Sequence, residues 1–316
     1  MLKRNLIPIF IFIIIFAFII KPGIVSEGTI NGLNIWINNI IPYLFPMSIL
    51  SNILLQYNFL YSALERFSFL SKKILKSRFA LIPYFISIIC GYPSGALVTD
   101  IMAYNKKIST YEAGYMIKIA NNCSLQFISA VVAYSFLGDL NLFIYIAFPH
   151  YIGAVILSFL YLNKDYSFSD SFRNKSKHSS FNEIFSSAIY KSIISILTVG
   201  GVIVFFSVFS KYIASILASC KSFSLLNSGL REVIFSFLIG SLEITNGCKI
   251  ISASLLPLEI KLIIINFLIS FSGMSIIFQT IAVSNDFHFN LIDYIKGRFL
   301  FGIISSLLCV LMLIFV

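Results

Sequence analysis

Charged residues are scarce in this chain: Asp, Glu, Lys and Arg make up 11% of its 316 residues. A soluble globular domain carries about 25% charged residues. The 58% share of hydrophobic residues and the mean hydropathy of +0.93 point the same way. These values exclude a soluble domain. At about 20 apolar residues per spanning helix, they predict a multi-pass integral membrane protein.

Histidine and cysteine are also few. His150, His178 and His288 lie far apart along the chain, so their spacing predicts no metal site. The five cysteines are odd in number, and several lie inside apolar runs, which favours free thiols over disulfides. The sequence offers no pair of acids and no set of metal ligands for catalysis. We therefore expect neither a cofactor nor an enzyme activity.

The net charge of +10 comes from basic residues scattered between apolar runs. Such scatter is typical of the positive-inside rule and not of nucleic-acid binding. If the N-terminus is cytoplasmic and the two broken segments described below are re-entrant, most Lys and Arg residues fall on the cytoplasmic side. Arg298 is counted there, at the start of the last span. We therefore predict a cytoplasmic N-terminus, a lipid bilayer around the chain and no nucleic-acid partner.

Apolar runs and polar stretches divide the chain into five predicted parts. These are N-terminal membrane helices (1–60), a cytoplasmic amphipathic helix (61–78), a first repeat (79–162), a polar linker (163–183) and a second repeat (184–316). Within the first part, residues 21–35 read as a polar connection, and Pro42 and Pro46 predict a kink in the span that follows.

The two repeats carry the same plan. In each, an apolar segment interrupted by polar or Gly/Pro residues is followed, at a similar spacing, by a second interrupted segment. The interruptions lie at 91–95 and 121–124, and at 243–247 and 270–275. With the topology above, the leading segments enter the membrane from opposite sides. The sequence therefore predicts an all-α polytopic membrane protein with two inverted-topology repeats, each a re-entrant helical hairpin followed by a broken transmembrane helix.

Polar residues at these interruptions are candidates for binding a solute. Unpaired backbone groups cannot face lipid, so a break at membrane depth must turn toward protein or a water-filled cavity. Each new half-helix also offers free N–H donors and a positive dipole end. The predicted substrate-binding residues are Ser94, Asn121, Asn122, Ser124, Glu243, Thr245, Asn246, Ser272 and Ser275. The predicted hairpin-tip residues are Gly91, Pro93, Gly95, Gly247 and Gly273.

Glu243 is the carboxylate that falls near mid-bilayer, where a charged acid costs about 3 kcal/mol or more. It could hold a coupling H+ or Na+, accept a hydrogen bond from substrate, or instead partner nearby backbone or Lys249. Structural alternatives stay open for the other candidates too. They are a kinked helix at 91–95, interhelical hydrogen bonds at Asn121 and Asn122, small-residue packing at Ser272 and Ser275, and a buried structural role for His150 in place of a proton relay.

At these motifs the chain resembles the YlbJ family of sporulation integral membrane proteins, within the group that carries the nucleoside-recognition, or gate, domain. The matching pieces are GYPSGA at 91–96, NNCS at 121–124, GSLEITNG at 240–247, and FSGMS at 271–275 with Gln279. They cover about residues 30–300. The resemblance implies a role in endospore formation, in the cell membrane or the forespore membrane. It also implies a fold similar to that of concentrative nucleoside transporters.

The first hairpin lacks the Glu that nucleoside carriers have beside the tip glycine, and has Pro93-Ser94 instead, which argues against a nucleoside substrate. Spore formers must move a small dianion, dipicolinate, in bulk, and half-helix ends with hydroxyl and amide groups suit a carboxylate. We therefore expect a transporter of a small polar or anionic metabolite, with dipicolinate as the first candidate substrate. A homo-oligomer is compatible with this expectation. The alternative is a membrane scaffold that recruits spore-assembly proteins of the cortex or coat.

Overall fold

The computed structural model describes residues 2–54, 56–161, 180–284 and 287–315, and every regular element within them is helical. The helices of the first half are Leu2–Ile20, Pro22–Ile35, Trp36–Ile40 (π), Ile41–Leu54, Asn58–Arg66, Ser68–Leu75, Leu81–Cys90, Ser94–Tyr104, Thr110–Ala120, Phe127–Phe136 (π), Leu140–Leu142 (3-10) and Phe143–Leu160. Those of the second half are Phe181–Ser219, Lys221–Ser224, Ser228–Leu242, Ile244–Ala253, Leu258–Phe271, Gly273–Val283 and Leu291–Phe315.

Five helical stretches among the described residues are long and apolar enough to cross a membrane. They are Pro22–Leu54, Leu140–Leu160, Phe181–Ser219, Leu258–Val283 and Leu291–Phe315. Large apolar side chains on the outer helices, such as Phe16 and Ile314, are exposed, as lipid-facing residues must be. The predicted all-α, multi-pass membrane architecture is thereby confirmed.

The N-terminal region differs from the expectation at residues 21–35, where the structure has the helix Pro22–Ile35 in place of a polar connection. They run into the next span, so that Pro22–Leu54 forms one stretch. The reason is packing against Phe181–Ser219, the long helix. A Cβ on Gly28 would lie 2.6 Å from the Cα of Val208 in that helix. The glycine that made this segment look like a loop is the residue that allows two helices to touch.

The segment predicted as one amphipathic helix at 61–78 holds two short helices, Asn58–Arg66 and Ser68–Leu75. Of the predicted linker at 163–183, residues 163–179 lie outside the described residues. The long helix then begins at Phe181, where the Ser180 side chain accepts a hydrogen bond from the Glu183 backbone N–H at 3.4 Å. The Glu183 carboxylate accepts in return from the Ser180 N–H, which completes a capping box.

Each of the four predicted interruptions separates two helices in the structure. The first hairpin is Leu81–Cys90 and Ser94–Tyr104, and the first broken helix is Thr110–Ala120 and Phe127–Phe136. The second hairpin is Ser228–Leu242 and Ile244–Ala253, and the second broken helix is Leu258–Phe271 and Gly273–Val283. In both hairpins the two helices pack on each other, and each hairpin packs on the broken helix that follows it.

Elements that hold the same place in the two halves also pack on each other. The stretch Pro22–Leu54, which precedes the first hairpin, lies against the long helix Phe181–Ser219, which precedes the second. Phe143–Leu160, which follows the first broken helix, lies against the last helix, Leu291–Phe315.

Candidate functional site

Both hairpins and both broken helices border one central cavity of about 70 Å³, and three of the four interruptions (91–95, 121–124 and 243–247) line it directly. Its polar side is lined by Gly91, Tyr92, Cys123, Ser124, Glu243, Thr245 and Gln279, and its apolar side includes Ile40, Leu44, Val199, Ile203 and Ile276. Every hairpin and every broken helix contributes at least one of these residues. The cavity is therefore built jointly by both halves of the chain.

The turn of the first hairpin packs directly on the first break. Gly91 has a φ of +77°, in the left-handed region, and a Cβ there would lie 3.1 Å from the Cβ of Ser124. Gly95 is closer still, because its Cβ would lie 2.0 Å from the carbonyl oxygen of Ala120. Glycine at these two positions lets the hairpin turn touch the break, so the first two predicted motifs share one place in the fold.

Glu243 is the single residue between the two helices of the second hairpin. Its carboxylate oxygens accept hydrogen bonds from the backbone N–H groups of Thr245 at 3.0 Å and Asn246 at 2.7 Å. Glu243 is thus the N-cap of Ile244–Ala253. This is the backbone partnership that the structural alternative describes. The same side chain, 2% exposed, also lines the central cavity.

Two close backbone contacts shape the second half of the site. A Cβ on Gly247 would lie 2.2 Å from the Cα of Gly240, so the helices of the second hairpin touch at a pair of glycines. Gly273, with a φ of +69°, lies at the second break, and its Cβ would be 2.9 Å from the Gly240 carbonyl oxygen. The second break therefore packs on the second hairpin, as the first break packs on the first.

Arg298 of the last helix lies fully buried between these elements. Its Nη1 donates to the backbone carbonyls of Lys118 at 3.2 Å and Asn121 at 3.1 Å. Its Nη2 donates to the Tyr92 hydroxyl at 2.7 Å and to the Ser272 hydroxyl. One guanidinium thus holds together the first hairpin, the first break and the second break.

Arg298 was not predicted as a site residue from the sequence, where it falls at the start of the last apolar run. In the structure the last helix begins at Leu291, two turns earlier, so Arg298 lies inside this helix. A cation within a membrane helix costs about 3 kcal/mol or more, and such residues usually face the protein interior. In the sequence, Arg298 follows Lys296 and Gly297 ahead of an apolar run, a pattern that does not distinguish it from a charged residue at the membrane surface.

The two asparagines of the first break make different contacts. The Asn121 side chain accepts from the Ala96 backbone N–H at 3.3 Å and donates to the Thr280 hydroxyl at 2.9 Å. It therefore joins the first hairpin to the second broken helix, as the interhelical alternative predicts. Asn122 donates to the Ile119 carbonyl at 2.9 Å.

His150 lies behind the first break, fully buried. Its Nε2 accepts from the Cys123 backbone N–H at 3.2 Å, and its Nδ1 lies 2.8 Å from the Ser270 hydroxyl. The imidazole thus satisfies a backbone donor freed by the break and reaches the other half of the chain. This is the buried structural role that the sequence left open.

The predicted site residues divide into two groups. Ser124, Glu243, Thr245 and the tip residue Gly91 line the central cavity. The others lie in the surrounding contacts and do not line it: Ser94, Asn121, Asn122, Asn246, Ser272, Ser275, Pro93, Gly95, Gly247 and Gly273. Asn246, for example, donates from its side chain to the Ser207 hydroxyl of the long helix at 2.8 Å.

Three buried polar atoms near the breaks have no hydrogen-bond partner among the described residues: Asn122 Oδ1, Ser275 Oγ and Arg298 Nε. A buried polar atom left unpaired costs about 1–3 kcal/mol, so each is a position where water or a solute could bind. Within the described part of the chain, no group of three or more His, Cys, Asp or Glu residues could hold a metal ion.

Comparison with known proteins gives one informative similarity. The chain is similar to the sporulation integral membrane protein YlbJ of Bacillus subtilis (strain 168), with 24% identity over 320 aligned positions. The alignment covers 90% of this chain and 77% of that protein. No family model and no solved structure matches the chain.

Proposed function

The similarity supports membership of the YlbJ family of sporulation integral membrane proteins, and on that premise we propose that the chain transports a small polar or anionic metabolite during spore formation. Dipicolinate is the first candidate. The proposed site of action is the cell membrane or the forespore membrane, with the N-terminus in the cytoplasm. The chain acts as a carrier, not as an enzyme, and needs no cofactor beyond a coupling H+ or Na+.

The observation that carries this proposal is a single cavity to which both hairpins and both broken helices contribute lining residues. Broken helices at membrane depth are tolerated where they surround protein or a water-filled space, and paired interruptions in the two halves of a chain are a mark of transporter binding sites. A scaffold has no need of such a cavity.

We infer that the two halves are repeats related by inverted topology. Each half supplies a leading helix, a hairpin, a broken helix and a closing helix, and the leading and closing helices pair across the halves. In this proposal the hairpins are re-entrant. Alternating access then follows if one half rocks against the other around the fixed cavity.

In this proposal the described conformation is a closed state, because the cavity is small. A volume of about 70 Å³ has room for only a few water molecules. A ring with two carboxylates needs more space, so the hairpins must separate for it to enter. The contacts of Tyr92 and Asn121 across the halves are those that such a movement would change.

Charge gives Glu243 and Arg298 complementary roles in the proposed cycle. Glu243 lines the cavity, and Arg298 reaches its wall through the Tyr92 hydroxyl. While Glu243 is ionised, its carboxylate repels an anionic substrate and the Arg298 guanidinium attracts it. A proton or Na+ on Glu243 would leave the guanidinium as the dominant charge and so favour anion binding.

Vesicles that contain the purified protein provide the direct test. We expect radiolabelled dipicolinate to enter them faster than it enters protein-free vesicles, and unlabelled dipicolinate to compete. Equal uptake by both kinds of vesicle, with or without a proton or Na+ gradient, would refute dipicolinate transport.

Complementation separates a carrier from a scaffold. In a Bacillus subtilis strain that lacks its YlbJ, this chain with Glu243→Gln should give spores low in dipicolinate and sensitive to heat, at equal membrane abundance. The matched control is Glu259→Gln, the same chemical change at an exposed position. Normal spores from Glu243→Gln, together with defects from changes in 61–78, would favour the scaffold.

A further inference from the structure

A second and larger pocket, of about 260 Å³, shares no lining residue with the central cavity. It is bounded by Thr110–Ala120, the end of Phe143–Leu160, residues 288–290 and the start of the last helix. Its lining includes Tyr111, Tyr115, Lys118, Tyr161, Asn290 and Asp293. None of these residues was predicted as a site from the sequence.

Lys118 is the buried charge of this pocket, with an exposed fraction of 6%. Its ammonium group pairs with the Asp293 carboxylate and lies 4.4 Å from the centroid of the Tyr161 ring. A Cβ on Gly297 would lie 3.0 Å from both the Lys118 Cδ and the Tyr161 hydroxyl, so the glycine makes room for this arrangement. The pocket is therefore built around the ammonium group of Lys118.

The two partners of this ion pair differ in exposure. The Lys118 side chain is 7% exposed, whereas the Asp293 side chain is 53% exposed. A half-exposed carboxylate loses little when it turns into water. A buried ammonium, in contrast, needs a negative partner. Asp293 is thus a counter-ion that another carboxylate can replace, and Lys118 is the fixed part of the site.

We propose that this pocket binds a small organic carboxylate whose anionic group takes the place of Asp293 at Lys118. The tyrosine side chains on its walls offer flat surfaces to a ring. Its volume is below the 300–1,000 Å³ typical of sites for drug-sized ligands, which suits a small acid. Because the pocket is separate from the central cavity, this inference goes beyond the proposed function and does not depend on transport.

The pocket is also joined to the central network. The Lys118 carbonyl accepts a hydrogen bond from Arg298 at 3.2 Å, while the Lys118 side chain faces the pocket. A ligand that moves this residue would therefore act on the guanidinium that holds the breaks together.

Equilibrium binding of benzoate to the full chain in lipid nanodiscs tests the proposal, with benzamide as the uncharged ligand of the same shape. We expect benzoate to bind and benzamide not to bind. Asp293→Asn removes the competing carboxylate and should tighten benzoate binding by about fivefold. Lys118→Met should weaken it by at least tenfold. The control is Lys296→Met, which removes an exposed charge on the last helix, the helix of Asp293. It should leave benzoate binding unchanged.

Asp293→Asn is the decisive variant, since it keeps Lys118 and changes an exposed group. If Lys118→Met fails to fold, Lys118→Arg takes its place and should keep benzoate binding within a few-fold of the native chain. Benzoate binding that Asp293→Asn leaves unchanged or weakens would overturn the proposal. So would a lack of binding to both the native chain and Asp293→Asn.

Discussion

The Nη2 of Arg298 lies 2.7 Å from the hydroxyl oxygen of Tyr92, although the two residues are 206 positions apart in the chain. The same Tyr92 hydroxyl donates to the Ile269 carbonyl at 3.0 Å, just before the second break. Tyr92 also lines the central cavity. This contact therefore connects the last helix, the first hairpin and the second broken helix at the edge of the proposed substrate site.

Tyr92→Phe tests this connection, because it keeps the ring and removes the hydroxyl. The change leaves the Ile269 carbonyl and one Arg298 donor without this partner, so we expect the free energy of unfolding to fall by about 1–3 kcal/mol. Transport should fall as well. Thermal unfolding in detergent and vesicle uptake measure the two effects.

The matched control is Tyr134→Phe, which removes the hydroxyl of an exposed tyrosine on the first broken helix. It should leave both stability and uptake at the native level. If Tyr92→Phe also leaves stability and uptake at the native level, the Arg298–Tyr92 contact contributes to neither.

A second prediction concerns the contact between the first hairpin and the first break. Gly95→Ala places a Cβ 2.0 Å from the Ala120 carbonyl oxygen, so backbone must move. Overpacking of this kind costs typically 1–3 kcal/mol, and here the obstructing atom is backbone, so we expect the upper end of that range. Thermal unfolding measures the loss of stability, followed by a dye that becomes fluorescent when it reacts with thiols exposed by unfolding.

Gly201→Ala is the control, because its Cβ would meet no atom within 4 Å. In a helix, this change should be neutral or stabilise by up to about 1 kcal/mol. A similar response of Gly95→Ala and Gly201→Ala would show that the close contact at Gly95 is not part of the native structure.

The breaks could be predicted from sequence because their cause is local. Gly91, Pro93 and Asn121 are residues that end helices within apolar runs, and the structure ends helices there. The burial of Arg298 has no local cause. It depends on four acceptors from segments that are distant in sequence, which no pattern around residue 298 displays.

Gly28 and Glu243 show two further limits of reading a sequence. The glycine-containing segment 21–35 resembled a connection because its packing partner, Val208, is far along the chain. Glu243 was open to both a functional and a structural interpretation, and the structure places it at the cavity and at a helix cap together. Both of its carboxylate oxygens accept hydrogen bonds in the cap, and the cap itself lies at the cavity wall.

A third prediction separates these two roles of Glu243. Glu243→Gln keeps one oxygen acceptor for the cap and loses the other, so we expect a loss of stability of about 1 kcal/mol. The amide can carry no coupling proton. Uptake should therefore fall and lose its dependence on the proton gradient, while Glu259→Gln keeps both rate and dependence. Gradient-dependent uptake that survives in Glu243→Gln would assign Glu243 to the helix cap alone.

The last prediction uses a thiol in the cavity wall to follow the opening of the site. Cys123 lines the central cavity and is 2% exposed, whereas Cys220 is exposed. In single-cysteine variants, a charged methanethiosulfonate reagent should label Cys220 quickly and Cys123 slowly, since the Cys123 side chain is buried. If the cavity opens in turn to each side, a substrate shifts the populations of these states. Saturating dipicolinate should then change the labelling rate of Cys123 by at least about threefold and leave that of Cys220 unaltered. A Cys123 rate that does not respond to dipicolinate, in protein that transports it, would place the path of the solute elsewhere in the fold.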